Sequence, residues 1–353
     1  MLLSRSYTCW LSMFSLLVTV ADHSFAAEAT ADKTIAFSIS YAGNAMRQGQ
    51  IKAWQATTAQ AVADGVIKKT KVVTAHNGAP EQASQIETLI LEGWNAIVIN
   101  AGSPAALNGV IKEACAANIV VVEFDGIATA PCAYKVEYDW KGVGVTMAAF
   151  VAKELGGKGN VLENRGIAGI SIDEDMHDGA AEVFAKYPDI KVVGTVYGAW
   201  TPSVTQKEIS AIIPSLPKVD AVISQGGAFG AYQAFADADR KQPIMVYGNY
   251  QEELKVWSEM KKKDPTYKAI SLSSSPTVSS VAFWVTQQIL SGKAVPKTIA
   301  MPINYIDSGK LDQWVAKTPE GGVASPFYTR DWVEQLVVAN SNHTALPATP
   351  DPK

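Results

Sequence analysis

The chain has 353 residues with 48% apolar and 18% charged side chains, enough for about two packed domains and too apolar for a disordered or fibrous protein. Thirty basic against 34 acidic residues give a net charge of −4, the wrong balance for a nucleic-acid binder, which carries a basic face. A mean hydropathy of +0.05 excludes a multi-span membrane protein.

In chain order, Arg5, an apolar run Trp10–Ala21 and a small-x-small pair at Ser24 and Ala26 have the layout of a secretory signal peptide over residues 1–26. The run is too short to span a bilayer, and Cys9 lacks a lipobox. Cleavage removes one base, Arg5, and one acid, Asp22, so the mature charge is unchanged. Export places the product in an oxidising compartment. There Cys115 and Cys132 either pair or remain two buried thiols. With no CxxC and no Cys/His cluster, neither zinc nor any cofactor is expected.

The body alternates short apolar runs with helical patterns. Strands are predicted at 34–40, 71–75, 96–100 and 119–124, with helices at 44–63, from Pro80 to Gly93, and from the Ser103–Pro104 cap. After a small-residue loop, Gly126–Tyr134, comes a helix at 141–155. Further strands are predicted at 160–163, 190–197, 221–224, 244–247 and 268–272, with helices starting near Asp173, Thr201, Phe229 and Pro276. Strand runs without alternation are buried on both faces, which means parallel strands covered by helices. The reading is α/β: two doubly wound, Rossmann-like lobes. The polar, Pro-rich tail 340–353 is expected to be disordered.

Open parallel sheets bind ligands at the carboxyl ends of their strands. The residues following the strands are Tyr41, Asn44, Met46, Arg47, Asn100 and Asp125 in the first lobe. In the second they are Asn164, Trp200, Gln225, Asn249 and Tyr250, with Ser273, Ser274 and Ser275 at a return crossing. Hydroxyl, amide, carboxylate and guanidinium groups beside aromatic rings suit a neutral polyhydroxylated molecule, whose C–H face packs on a ring. Each residue also has a plainer use: Asn44 as a helix cap, Asp125 as a backbone acceptor, Trp200 as core, Arg47 as solvated surface. The argument rests on their joint placement.

Catalytic motifs are missing. Gly169-Ile-Ser171 lacks the second glycine of a nucleophile elbow, and Gly142-Val-Gly144 lacks a third glycine. The acidic run Asp173–Asp178 is explained by a helix N-terminus, though Glu174 or Asp175 is placed to reach a ligand hydroxyl. A binding protein is expected rather than an enzyme.

From Lys33 to Trp314 the chain resembles the periplasmic sugar-binding proteins of ABC transporters, of the ribose-binding type that shares its lobes with LacI-type repressors. Thr34–Ser40 with Gly43-Asn44, Ile119–Asp125, Gly166–Ser171, Val219–Gly227 and Gly230–Phe235 carry the resemblance. It implies two lobes, 27–138 plus 275–303 and 139–274 plus 304–335, joined by three crossing strands near 133–139, 272–276 and 302–305. It also implies a monomer that clamps a monosaccharide or polyol and docks on a membrane permease served by an ATPase. By position it assigns Asn44, Met46, Arg47, Asp125, Trp200, Gln225, Gly226, Asn249, Tyr250 and Ser274 to the ligand. The departures are Gly126 and Met176 where the family has arginines, and Met46–Arg47 where it has two phenylalanines. These argue against ribose held in the usual way. The alternatives are a chemoreceptor or sensor-kinase partner in place of the transporter, a secreted enzyme on a small polar substrate, and a repressor, the last disfavoured by the signal peptide.

Overall fold

The computed structural model describes residues 29–352 except Asn77 and Ile170. The predicted signal peptide, 1–26, lies outside them.

The first lobe alternates β1 (Thr34–Ile39), α1 (Ala45–Ala63), β2 (Lys69–Thr74), α2 (Ala79–Leu91), β3 (Ala96–Asn100), α3 (Asn108–Ala116), β4 (Val120–Phe124) and β5 (Tyr134–Tyr138). The second runs α4 (Trp140–Glu154), β6 (Lys158–Arg165), α5 (Ser171–Phe184), β7 (Asp189–Tyr197), α6 (Pro202–Ile212), β8 (Ala221–Ser224), α7 (Ala228–Asp237), β9 (Ile244–Tyr247), α8 (Gln251–Lys263) and β10 (Ala269–Ser273). The chain then returns with α9 (Val278–Leu290), β11 (Thr298–Met301), β12 (Asn304–Ile306), α10 (Leu311–Lys317) and α11 (Arg330–Asn342).

The strands form two six-stranded sheets, ordered β11-β5-β4-β3-β1-β2 and β12-β10-β9-β8-β6-β7. Every pairing is parallel except β10 with β12. Each sheet reverses strand order beside its first strand, which opens a crevice there. Side-chain alternation divides each strand between two helix layers. Ile35, Phe37 and Ile39 face a core shared with α1, α9 and α11, whereas Ala36 faces α2 and α3. Trp54 anchors the first core, fully buried and edge-on to Phe283, with its Nε1 donating to Thr70 Oγ1 at 3.0 Å. Trp257 and Tyr247 stack in the matching core of the second lobe.

The lobes are joined at Asp139, between β5 and α4, at Ser274–Thr277, after β10, and at Pro302–Ile303, between β11 and β12. A fourth crossing follows. Residues 323–324 still belong to the second lobe, where Ala324 N donates to Asn249 O. α11 packs on α9 and β11, and Val333, Leu336 and Val337 enter the first-lobe core. This corrects the end of the 304–335 assignment: β12 and α10 lie in the second lobe, but α11, from Arg330, belongs to the first because its apolar face fits that core. The tail expected to be disordered instead lies along that lobe. Leu346 packs on its core, Trp332 Nε1 donates to Ala348 O at 2.9 Å, and Thr349 Oγ1 donates to Ile303 O at 3.2 Å.

Two further differences have local causes. The α3 helix begins at Asn108, because Ser103 Oγ accepts from Ala105 N and Ala106 N and so caps a preceding turn. β5 and β12 match two of the crossing strands that the resemblance implies, near 133–139 and 302–305, whereas β11 was not expected, four residues being too short a run to stand out. Cys115, on α3, and Cys132, before β5, are joined as a disulfide.

Candidate functional site

The carboxyl ends of both sheets face each other across a cleft of about 600 Å³. The first lobe supplies Tyr41, Asn44, Met46, Arg47, Gly102, Asp125 and Gly126 from the loops after β1, β3 and β4. The second supplies Ile167, Ile172, Met176, Trp200, Gln225, Gly226 and Tyr250, and the crossings contribute Trp140 and Ser274.

Arg47 and Asp125 form the polar centre. Asn44 caps α1, its Oδ1 accepting from Arg47 N at 2.9 Å and its Nδ2 donating to Tyr41 Oη at 2.8 Å. That cap places Arg47 in the first helical turn, where the macrodipole disfavours a cation and no acidic residue of the turn compensates. Asp125 does so across the lobe: Arg47 Nη1 donates to Asp125 Oδ2, and their side chains are 15% and 9% exposed. Gln50 Nε2 and Asn100 Nδ2 donate to the same oxygen at 3.1 and 3.3 Å. Asp125 sits at φ 58°, a left-handed conformation that Asp tolerates better than most residues and that turns its carboxylate off the strand end. Two groups are left over. Asp125 Oδ1 has no hydrogen bond among the described residues, and Arg47 Nε is buried without a partner among them.

The opposite wall is built around Trp200. Ala199 and Trp200 both have positive φ, 51° and 54°, a strained pair of the kind held where a side chain must be aimed. The indole lies on two bare backbones: a Cβ at Gly166 would overlap its ring, and one at Gly226 would come within 3.0 Å of Cδ1. Gln225 fastens this wall. Its Oε1 accepts from Gly166 N at 3.0 Å and its Nε2 donates to Asp173 O at 2.9 Å. Tyr250 closes one end, and burial first, then the nearby Glu253 carboxylate, pushes its hydroxyl above the usual tyrosine range, so it stays protonated. Beneath it, Glu253 accepts from Gly248 N at 2.6 Å and is raised to about 7 by burial.

Of the sequence-predicted ligand residues, Asn44, Met46, Arg47, Asp125, Trp200, Gln225, Gly226, Tyr250 and Ser274 line the cleft. Asn249 does not. It is fully buried at φ 70°, with Nδ2 donating to Asn304 O and Oδ1 accepting from Ser271 Oγ, so it ties β9 to β10 and β12. Glu174 does not either. It is exposed on α5, two positions from both cleft-facing residues, Ile172 and Met176. Asp175 lines an adjoining cavity of about 510 Å³ with Glu137 and Lys141. Asn164 is buried, its Nδ2 donating to Ser224 Oγ and Gly226 O beneath the loop. Sequence reasoning missed Trp140, Ile167 and Ile172. Ile167 lies two residues past the end of β6, and Ile172 and Met176 share a helix face at i, i+4, so the spacing held the signal.

Two lobes of this topology with a cleft at their strand ends define a class. Residues 35–294 match the family model of the periplasmic binding protein domain, and the chain belongs to that family. It is similar to the crystal structure of an ABC transporter solute binding protein from Thermobispora bispora, 34% identical with a TM-score of 0.83 over 91% of this chain and 99% of that one. It is also similar to the xylitol-binding protein of Mycolicibacterium smegmatis, 30% identical over 171 residues that make 47% of this chain and only 49% of that protein. The ribose import binding protein of Bacillus subtilis is 26% identical over 242 residues, 67% of this chain and 76% of that protein.

Proposed function

We propose that this chain captures a monosaccharide or polyol between its lobes in the periplasm and delivers it to the membrane permease of an ABC transporter. The observation that carries this reading is the Arg47–Asp125 pair facing Trp200 across the inter-lobe cleft. A carboxylate oxygen and a guanidinium N–H without protein partners accept and donate to adjacent hydroxyls, while an aromatic face takes the C–H side of a ring. Buried hydroxyls without partners would cost about 2 kcal/mol or more each, so the unmatched groups set where hydroxyls sit. The relatives named for ribose import and xylitol binding support the ligand class and the transporter partner. The segment 1–26 supports export, and relatives named as binding proteins support holding a ligand rather than turning it over. As a monomer the protein would close on its ligand and dock in that form.

Isothermal calorimetry against pentoses, hexoses and polyols tests this. At least one is expected to bind at micromolar Kd or tighter with 1:1 stoichiometry. Silence across the panel would sink the reading.

A further inference from the structure

The two walls of the cleft differ in chemistry. The hydrogen-bonding centre, Arg47 with Asp125, belongs to the first lobe. Facing it, the second lobe offers Ile167, Ile172 and Met176 beside the Trp200 indole. Ile167 is 45% exposed at the cleft, whereas Met176 is nearly buried at 4% and offers only an edge. Apart from the Tyr250 hydroxyl at one end and the Trp200 Nε1, the polar side chains in and beside this wall are already used. Both ends of Gln225 are bonded to backbone, and Arg165 and Asp173 are bonded to each other at 2.6 and 3.2 Å, with Asp173 fully buried.

An aromatic face tolerates the C–H side of a sugar ring, but two isoleucines and a methionine offer neither donor, acceptor nor ring. A hydroxyl pressed against them is buried without a partner, whereas a methyl, alkylthio or aryl group gains by leaving water. We propose, resting on the sugar-binding reading above, that the ligand is two-sided. A diol edge bonds to Asp125 Oδ1 and to Arg47 Nη2, the guanidinium nitrogen that is neither enclosed like Nε nor bonded to protein like Nη1, and an apolar substituent, which a plain pentose or hexose lacks, seats on Ile167, Ile172 and Met176.

Calorimetry on matched pairs tests this: D-ribose with 5-methylthio-D-ribose, D-galactose with 6-deoxy-D-galactose, and D-glucose with phenyl β-D-glucoside. In at least one pair the substituted member binds roughly tenfold to a hundredfold tighter than its parent. Ile167→Asn, at an exposed loop position where folding is not at stake, reduces that preference to within about threefold. Parents that bind as tightly as their partners, or a preference that survives Ile167→Asn, overturn the two-sided ligand and leave the sugar reading standing. Binding by no member of any pair overturns the two-sided ligand, and the wider panel of pentoses, hexoses and polyols decides the sugar reading separately.

Discussion

Asp125 holds Arg47 in a helical turn that repels a cation, and in the proposed function its unbonded Oδ1 meets the ligand. Asp125→Ala strands a mostly buried guanidinium and removes an acceptor. Calorimetry should show ligand binding at least about tenfold weaker, with an unchanged Kd removing Asp125 from the site. Glu123 behaves differently. It is fully buried at the end of β4, with one oxygen accepting from Ala128 N at 3.0 Å and the other without a partner among the described residues. Burial raises it from 4.5 to about 7. A raised acid favours the native state while protonated, so its contribution is complete below about 4.5 and is lost as pH rises through about 7. That gap is worth up to roughly 3 kcal/mol. Urea unfolding at pH 5 and pH 8 should therefore show a smaller decline for Glu123→Gln than for the parent; equal declines would mean that Glu123 is already charged in the fold.

At the scale of elements, the disulfide links α3 to the loop before β5 across a sequence separation of 17 and pins the segment that carries Asp125. Replacing both cysteines by serine is expected to cost about 3 kcal/mol of unfolding free energy, measurable by chemical denaturation, and a loss near zero would show the segment held by packing alone. The elements legible in the sequence were those with strong local signals. Short continuous apolar runs such as Ala96–Asn100, bounded by turn residues, read as two-sided buried strands, and Asn44 and Thr201 marked helix starts. β11 and α10 were not legible, because four strand residues and seven helix residues carry too little periodicity and are stabilised by neighbours distant in sequence. The site follows the same division. Position after a strand located Arg47, Asp125 and Trp200, but that rule does not say where a side chain turns, and Asn249 at φ 70° turns inward. Glu174 failed for a related reason: the helix phase, set by Ile172 and Met176 facing the cleft, carries it away.

For the whole molecule, the cleft walls belong to separate lobes, so ligand affinity and lobe closure are linked. Tyr250 from the second lobe is close enough to Tyr41 and Arg47 of the first for their charges to bear on its hydroxyl. Small-angle scattering should record a smaller radius of gyration once the calorimetric ligand is added, from a value near about 20 Å for a compact chain of this length. An unchanged profile would mean that the halves do not hinge.

The return of α11 and the final residues to the first lobe has a consequence for biosynthesis. β5 remains a bare edge until β11 arrives, and the α9 face stays uncovered until α11 lies on it. Neither half is a contiguous stretch of polypeptide. Synthesis proceeds from the amino end, so the earliest-made half cannot lock before residue 342 has emerged. A nascent chain of this topology therefore lacks part of its amino-terminal core until nearly all of the polypeptide is made.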